Sequence, residues 1–295
     1  MRIYDGRLGR WLSTDPLLSK FPYQSPYCSF DNNPVSNIDP DGQFSINNHA
    51  AYTNFALKKL GYGDIMRTYI SAYASMFADH PPKWVKVAQG ENGHWLVPEK
   101  SWVKSGKSQD PDIEHNTWHS MKAPGETVTD EAAMARGQAF GWGKIINASN
   151  EISKEGSLDS YFDIKHVSTN GMEYGGVKEG INLIGLEDLG QGIHALQDAI
   201  AHQGSSLKGG NAKKHSVWND MFPSKGDIQK ADRITSSAIL SMEALTGNYK
   251  NIKNKMIIDL TGTTVDQYNT IKAAFQKAKE SSEGKVKEIY FTRKP

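Results

Sequence analysis

One cysteine, Cys28, in 295 residues excludes an internal disulfide and any zinc site built from several thiolates. A metal held by this chain must therefore sit on nitrogen and oxygen ligands. Long apolar runs are also missing, and no stretch approaches the ~20 residues that a membrane-spanning helix needs. The N-terminal "MRIYDGRLGRWLSTDPLL" carries arginines with no apolar stretch behind them, so no secretory signal peptide is expected in this chain. Charge of one sign is absent as well. Lys and Arg number 34 against 33 Asp and Glu, a net +1 at pH 7, which gives no global pull toward nucleic acid or an anionic membrane. What remains is an ordinary globular composition, 38% hydrophobic and 23% charged, in a chain long enough for one large domain or two.

Two textures divide the chain. Residues 1–44 are dense in Pro, Asp, Asn, Gly and aromatics, with turn signals at "TDP", "NNP" and "DPDG", and they read as strand and turn. Beyond Gly42 helical periodicity with charged faces takes over, placing the boundary near Phe44. Helices are predicted over 47–60 and 64–78. Another spans 129–154, where Thr129 caps a first turn rich in acids. Further helices are expected over 225–245 and 264–282, with a central helix or helix pair over 178–203. Residues 93–106 read as a short hairpin or loop, and "KVKEIYF" near the C-terminus as a closing strand.

The most unusual stretch is "GIHALQDAIAHQG", residues 192–204. His194, Asp198 and His202 recur every four residues, so each step drifts only ~40° around a helix and the three share one face over two turns. A lone histidine in an apolar helix is more often a buried ring with hydrogen-bond partners. Two imidazoles flanking a carboxylate point instead to a shared cation, because burying Asp198 without a counter-charge is strongly unfavourable. Other polar groups are available to such a site. His49 lies early in the first predicted helix, Asp79 ends the second, and His115 and His119 are themselves spaced i, i+4. His215 follows a glycine-rich loop and precedes Asn219 and Asp220. His80, His94 and His166 read as surface or structural. Trp118 and Trp218 flank candidate ligands and read first as packing residues, or else as the wall of a headgroup or base pocket.

Two family resemblances bear on these residues. The run "MRIYDGRLGRWLSTDPLLSKFPYQSPYCSFDNNPVSNIDPDG" resembles, along its length, the core motif that closes the β-shell of Rhs polymorphic toxins. By that resemblance residues 1–44 are the end of an Rhs core, and residues 45–295 are a helical, metal-dependent toxin domain enclosed by the shell. Asp15 and Asp39 would be the carboxylates of an aspartate-dependent self-cleavage after Phe44, although Gln43-Phe44 stands where a Leu commonly ends the motif. Both aspartates also suit simple turn capping. The resemblance further implies a piece of a longer protein, a cognate immunity protein, a secretion apparatus, and delivery into a target cell.

The second resemblance is carried by "IHALQDAIAHQG", which is similar to the "LHxLQDxxAHxG" helix of the zinc-dependent phospholipase C superfamily. That superfamily includes single-strand-specific nucleases and HET-C-like domains. It implies a mainly α, multi-helix fold and two or three zinc ions. Asp79, His119, His194 and Asp198 would hold one ion, with His115 the alternative to His119. Asp198 would bridge to a second ion held by His49 and, in the family, by a free amino terminus, which cleavage after Phe44 would create at Ser45. His202 and His215 would hold a third, with Asn219 or Asp220 beside them. Zinc in such a site ionises water near neutral pH, and Asp79 and Asp198 are the residues expected to serve catalysis directly, Asp79 by orienting that water. The 30 basic and 28 acidic residues of 45–295 favour a phospholipid diester over a nucleic acid. A nuclease, and a non-catalytic helical membrane-active module, remain the alternatives.

Overall fold

The computed structural model describes residues 46–76, 85–90, 93–98, 113–167, 172–204 and 224–293, together with strands β1 (Tyr4–Asp5) and β2 (Arg10–Trp11). The expected cleavage residues Asp15, Asp39 and Phe44 lie outside the described residues, as does most of 1–44. Within that stretch β1 and β2 pair antiparallel, Tyr4 opposite Trp11.

The described chain is mainly helical. Helix α1 covers Ile46–Lys59 and α2 Asp64–Met76. The short α3, Ile113–Trp118, precedes α4, Asp130–Lys154. Then come α5, Ile184–Ala201, α6, Lys225–Thr246, and α7, Val265–Ser281. Their ends follow local chemistry. The Thr129 side chain accepts from the Ala132 N–H at the start of α4, and Ser224 accepts from Asp227 N–H at the start of α6. Thr264 and Gln267 form a reciprocal capping box on α7. α6 stops where Gly247 takes up a left-handed conformation at φ 76°.

The structure departs from the sequence expectations mainly in its strands. β3 (Val85–Gly90) pairs antiparallel with β4 (Gly93–Pro98), so residues 93–98 form a hairpin with the residues before them, and 99–106 of the expected hairpin lie outside the described residues. The helix expected from residue 178 begins only at 184, because β5 (Phe162–Val167) and β6 (Met172–Val177) form a second hairpin just ahead of it. This hairpin does structural service: Glu173 of β6 accepts the Ile65 N–H at 3.1 Å, capping α2. Near the C-terminus, β8 (Ile289–Thr292) closes in parallel on β7 (Met256–Asp259), a partner the sequence pattern left unassigned.

α5 occupies the middle. It packs on α4, α2 and α6 and also touches α1 and α3. Its residues 192 to 199 are buried without exception, the polar His194, Gln197 and Asp198 among them. Facing it, α4 buries Gly137, Gly141, Trp142, Ile145, Ala148 and Ile152 along one stripe. Glycines set how closely these helices approach. A methyl group on Gly192 would stand 2.8 Å from the Gly141 carbonyl oxygen, and one on Gly190 would meet the Tyr73 carbonyl at 2.6 Å. Among the described residues no helix is long and apolar enough to cross a membrane.

Gly192→Ala should therefore destabilise the protein by roughly 1–3 kcal/mol through overpacking against backbone. That outweighs the ~1 kcal/mol that alanine gains over glycine in a helix. Gly143→Ala on α4, whose new methyl would meet only the end of the Gln267 side chain at 3.4 Å, should stabilise. Thermal midpoints of the two variants should move in opposite directions; a rise for Gly192→Ala would contradict this packing account.

Candidate metal centre

Three stretches of chain meet on one side of α5. The helix itself presents His194, Asp198 and His202 at successive turns, with the His202 N–H closing on the Asp198 carbonyl at 2.8 Å. α1 contributes His49. The segment after α3 contributes His119, and local chemistry explains its direction. Ser120 adopts a left-handed φ of 53°, its hydroxyl donates to the Ala195 carbonyl at 2.8 Å, and it sits against Gly137, where a Cβ would collide at 2.2 Å. The Met121–Gly204 bridge then ties this segment to the end of α5. His119 is thereby turned onto the helix.

The five side chains form a cluster around a single carboxylate. Asp198 Oδ1 lies 3.2 Å from His49 Nε2 and 3.4 Å from His202 Nε2, while Oδ2 lies 2.9 Å from His119 Nδ1 and 3.0 Å from His194 Nε2. His49 stacks on His194 with ring centroids 4.0 Å apart, and His119 meets His194 edge-on at 5.3 Å. His49, His194, Asp198 and His202 are fully buried and His119 is 2% exposed. Burial alone would push the Asp198 carboxyl up. The positive potential of His194, His202 and His49 and the hydrogen bond from His119 override it and hold the carboxyl well below the usual carboxylate range.

Proton positions decide whether this set suits a cation. His194 Nδ1 lies 2.9 Å from the Ala74 carbonyl oxygen, which can only accept, so Nδ1 carries the hydrogen. His49 Nδ1 lies 2.6 Å from Gln197 Oε1. The Gln197 amide nitrogen donates to Thr53 at 3.1 Å and Thr235 at 2.8 Å, leaving Oε1 to accept from His49. In their neutral forms both rings therefore turn an Nε2 without hydrogen toward Asp198; the His194 lone pair also faces His119 Nδ1 at 3.3 Å, whose hydrogen can reach it, while the His49 lone pair stands against the carboxylate. Protonating both would stack two buried imidazolium rings face to face. A metal cation removes the conflict, and an outward Nδ1–H held by a carbonyl or amide oxygen is how metal-binding histidines are oriented. One ligand atom each from His49, His194 and Asp198 lies within 4.8 Å of the others. Tetrahedral ligands at about 2.05 Å from zinc stand about 3.3 Å apart; the separations around Asp198 are of that size. The residues present fit zinc.

Of the ligands expected from sequence, the structure brings together His49, His119, His194, Asp198 and His202. Asp79, His215, Asn219 and Asp220 lie outside the described residues, as does the His115 side chain, although its backbone is on α3. Sequence reasoning passed over Gln197, Thr53, Thr235 and the Ala74 carbonyl. The signal for Gln197 was present: an amide inside a helix segment predicted to be buried needs partners of its own.

No protein-family model matches the chain, and no solved structure does. Among curated proteins, Salivary gland surface protein 1 of Aedes aegypti is 34% identical over 95 residues, which cover 32% of this chain and 2% of that protein.

Zinc at 100 times its dissociation constant should stabilise the fold by about 2.7 kcal/mol, raising the thermal midpoint by roughly 5–10 °C. Asp198→Asn, which keeps the shape but removes the charge, should abolish that rise. Because imidazole ligands must be neutral while Asp198 stays ionised far into acid, lowering the pH should release metal with uptake of protons onto histidine. A rise of equal size in the Asp198→Asn variant would contradict the site.

Proposed function

We propose that residues 45–295 are a zinc-dependent phosphodiester hydrolase of phospholipase C type, the effector part of an Rhs-like polymorphic toxin whose core ends in residues 1–44. The observation that carries the catalytic half is the division of Asp198: two imidazole nitrogens face each carboxylate oxygen. That arrangement suits one carboxylate shared by two cations, with His49 and His202 on one side and His194 on the other, joined by His119 once its Nδ1 gives up the hydrogen it donates to Asp198. The toxin half rests on the resemblance of residues 1–42 to Rhs cores, and brings with it the immunity protein, the shell and secretion apparatus, and delivery into a target cell.

Zinc bound there supplies Lewis acidity and a water that ionises near neutral pH. The chain's own groups do the rest. The four imidazoles bind without adding charge, so a single negative charge on Asp198, joined by Asp79 in this reading, leaves the centre cationic and suited to an anionic phosphorus ester. The buried walls strengthen that field by excluding bulk solvent. Ala74 and Gln197 hold His194 and His49 in the orientation binding requires, and Asp79 is assigned to orient the attacking water. His215 and Asp220 complete the ligand set in this reading, which gives two or three ions. The near-neutral charge of 45–295 favours a phospholipid substrate over a nucleic acid polyanion.

The test is to offer zinc-loaded protein phosphatidylcholine vesicles and single-stranded DNA side by side. Diacylglycerol and phosphorylated headgroup should be released, chelation should abolish release, and zinc should restore it. His194→Ala should lower the rate by more than about 100-fold, beyond the 10–100-fold typical when only an outer partner of a ligand is lost. Cleavage of DNA alone would replace the lipid reading with a nuclease. No turnover of either and no bound zinc would leave a helical membrane-active module.

A further inference from the structure

Gln197 lies beside Asp198 on α5, yet it points into a different set of contacts. Its amide is fully buried and links α5 to two other helices: Oε1 accepts from His49 of α1, while the nitrogen donates to Thr53 of α1 and Thr235 of α6. Both threonines are buried too. A side-chain amide has one accepting and one donating end, so its orientation determines which hydrogen His49 can carry. With Oε1 toward the ring, Nδ1 keeps the hydrogen and Nε2 is a ligand. Turned by half a revolution, the amide would present N–H to Nδ1, the hydrogen would move to Nε2, and His49 would donate to Asp198 Oδ1 instead. The second arrangement satisfies the hydrogen bonds and closes the cation position. The first opens it.

We propose that Gln197 is a positioning residue whose amide, held by Thr53 and Thr235, selects the Nδ1–H tautomer of His49 and so keeps the Oδ1 side of Asp198 able to bind a metal ion. This rests on the metal reading above. The threonines matter because a hydroxyl rotates: each can accept from the amide nitrogen while donating elsewhere, or donate to Oε1 if the amide turns. With both hydroxyls accepting, at 3.1 and 2.8 Å, the nitrogen is the amide end they hold and Oε1 is the end left to His49. Neither threonine touches Asp198 or the other rings in the contacts the structure describes, so the effect on metal binding would travel through the amide alone.

The experiment compares wild type, Gln197→Met and Gln197→Glu by zinc titration and by nitrogen-15 NMR of the histidine rings. Glutamate keeps an oxygen facing His49, so it should retain the Nδ1–H tautomer and the wild-type zinc stoichiometry. Methionine removes the acceptor. It should shift His49 toward Nε2–H in the zinc-free protein and weaken one equivalent of zinc by roughly 10–100-fold while leaving the His119–His194 side filled. Should Gln197→Met fail to fold, the near-isosteric pair Thr53→Val with Thr235→Val withdraws both acceptors from the amide nitrogen and should weaken the same equivalent in the same direction. A protein in which wild type loads zinc, and in which either set of variants binds it with unchanged affinity and an unchanged His49 tautomer, overturns this inference alone. Wild type that takes up no zinc overturns the metal reading and this inference with it.

Discussion

Asp198 has no solvent to turn to, and four imidazole rings from three stretches of chain close around its two oxygens. An ionised carboxylate removed from water is tolerated only when charge and hydrogen bonds replace hydration. Much of the fold reads as the means of assembling that replacement. α5 is buried along residues 192 to 199, so that its first histidine and its aspartate meet partners rather than water. Gly137 on α4 leaves room for Ser120, and Gly190 on α5 lets α2 approach beside Ala74. Gly190 approaches the Tyr73 backbone one residue before the carbonyl that holds His194. The β5–β6 hairpin caps α2 through Glu173 and so steadies the helix that supplies that carbonyl.

The same constraint explains which parts could be read from residues alone. α4 was marked by its threonine cap and acidic first turn and α7 by its amphipathic period, signals that operate within a few residues. The four-residue spacing of His194, Asp198 and His202 was legible for the same reason, since a single helix and its C-terminal cap hold all three. His49 and His119 were harder. Their convergence on Asp198 depends on packing across 149 and 79 positions of chain, and their roles were assigned only through a family likeness. β7 and β8 illustrate the limit further: a parallel pair formed by segments on either side of α7 leaves little local trace, and only β8 had the pattern to suggest a strand. α3 is too short to show a periodicity. The role of Gln197 was hidden for a different reason. It lies in which end of an amide faces a ring, a matter of contacts from α1 and α6 rather than of spacing.

The proposed function rests on charge more than on shape. In the proposed reading, a centre of neutral imidazoles around Asp198, joined by Asp79, stays positive once it holds divalent ions, and that charge is what suits it to an anionic phosphorus ester. In that reading the near balance of charge over residues 45–295 is the ground for preferring a lipid headgroup to a long polyanion. The Rhs-like segment and the helical domain are two inferences of unlike kind, the first resting on motif order and the second on proton and ligand geometry. The partial likeness to an insect salivary surface protein, covering about a third of this chain, carries neither of them.

The most direct test of the central claim is anomalous diffraction at the zinc edge from crystals grown with zinc. Density peaks within about 2.0–2.2 Å of Asp198 and of His49 Nε2 or His194 Nε2 are the expected result, with a peak beside each carboxylate oxygen if one carboxylate serves two ions. Absence of any peak there, with the imidazoles hydrogen-bonded directly to Asp198, would contradict it.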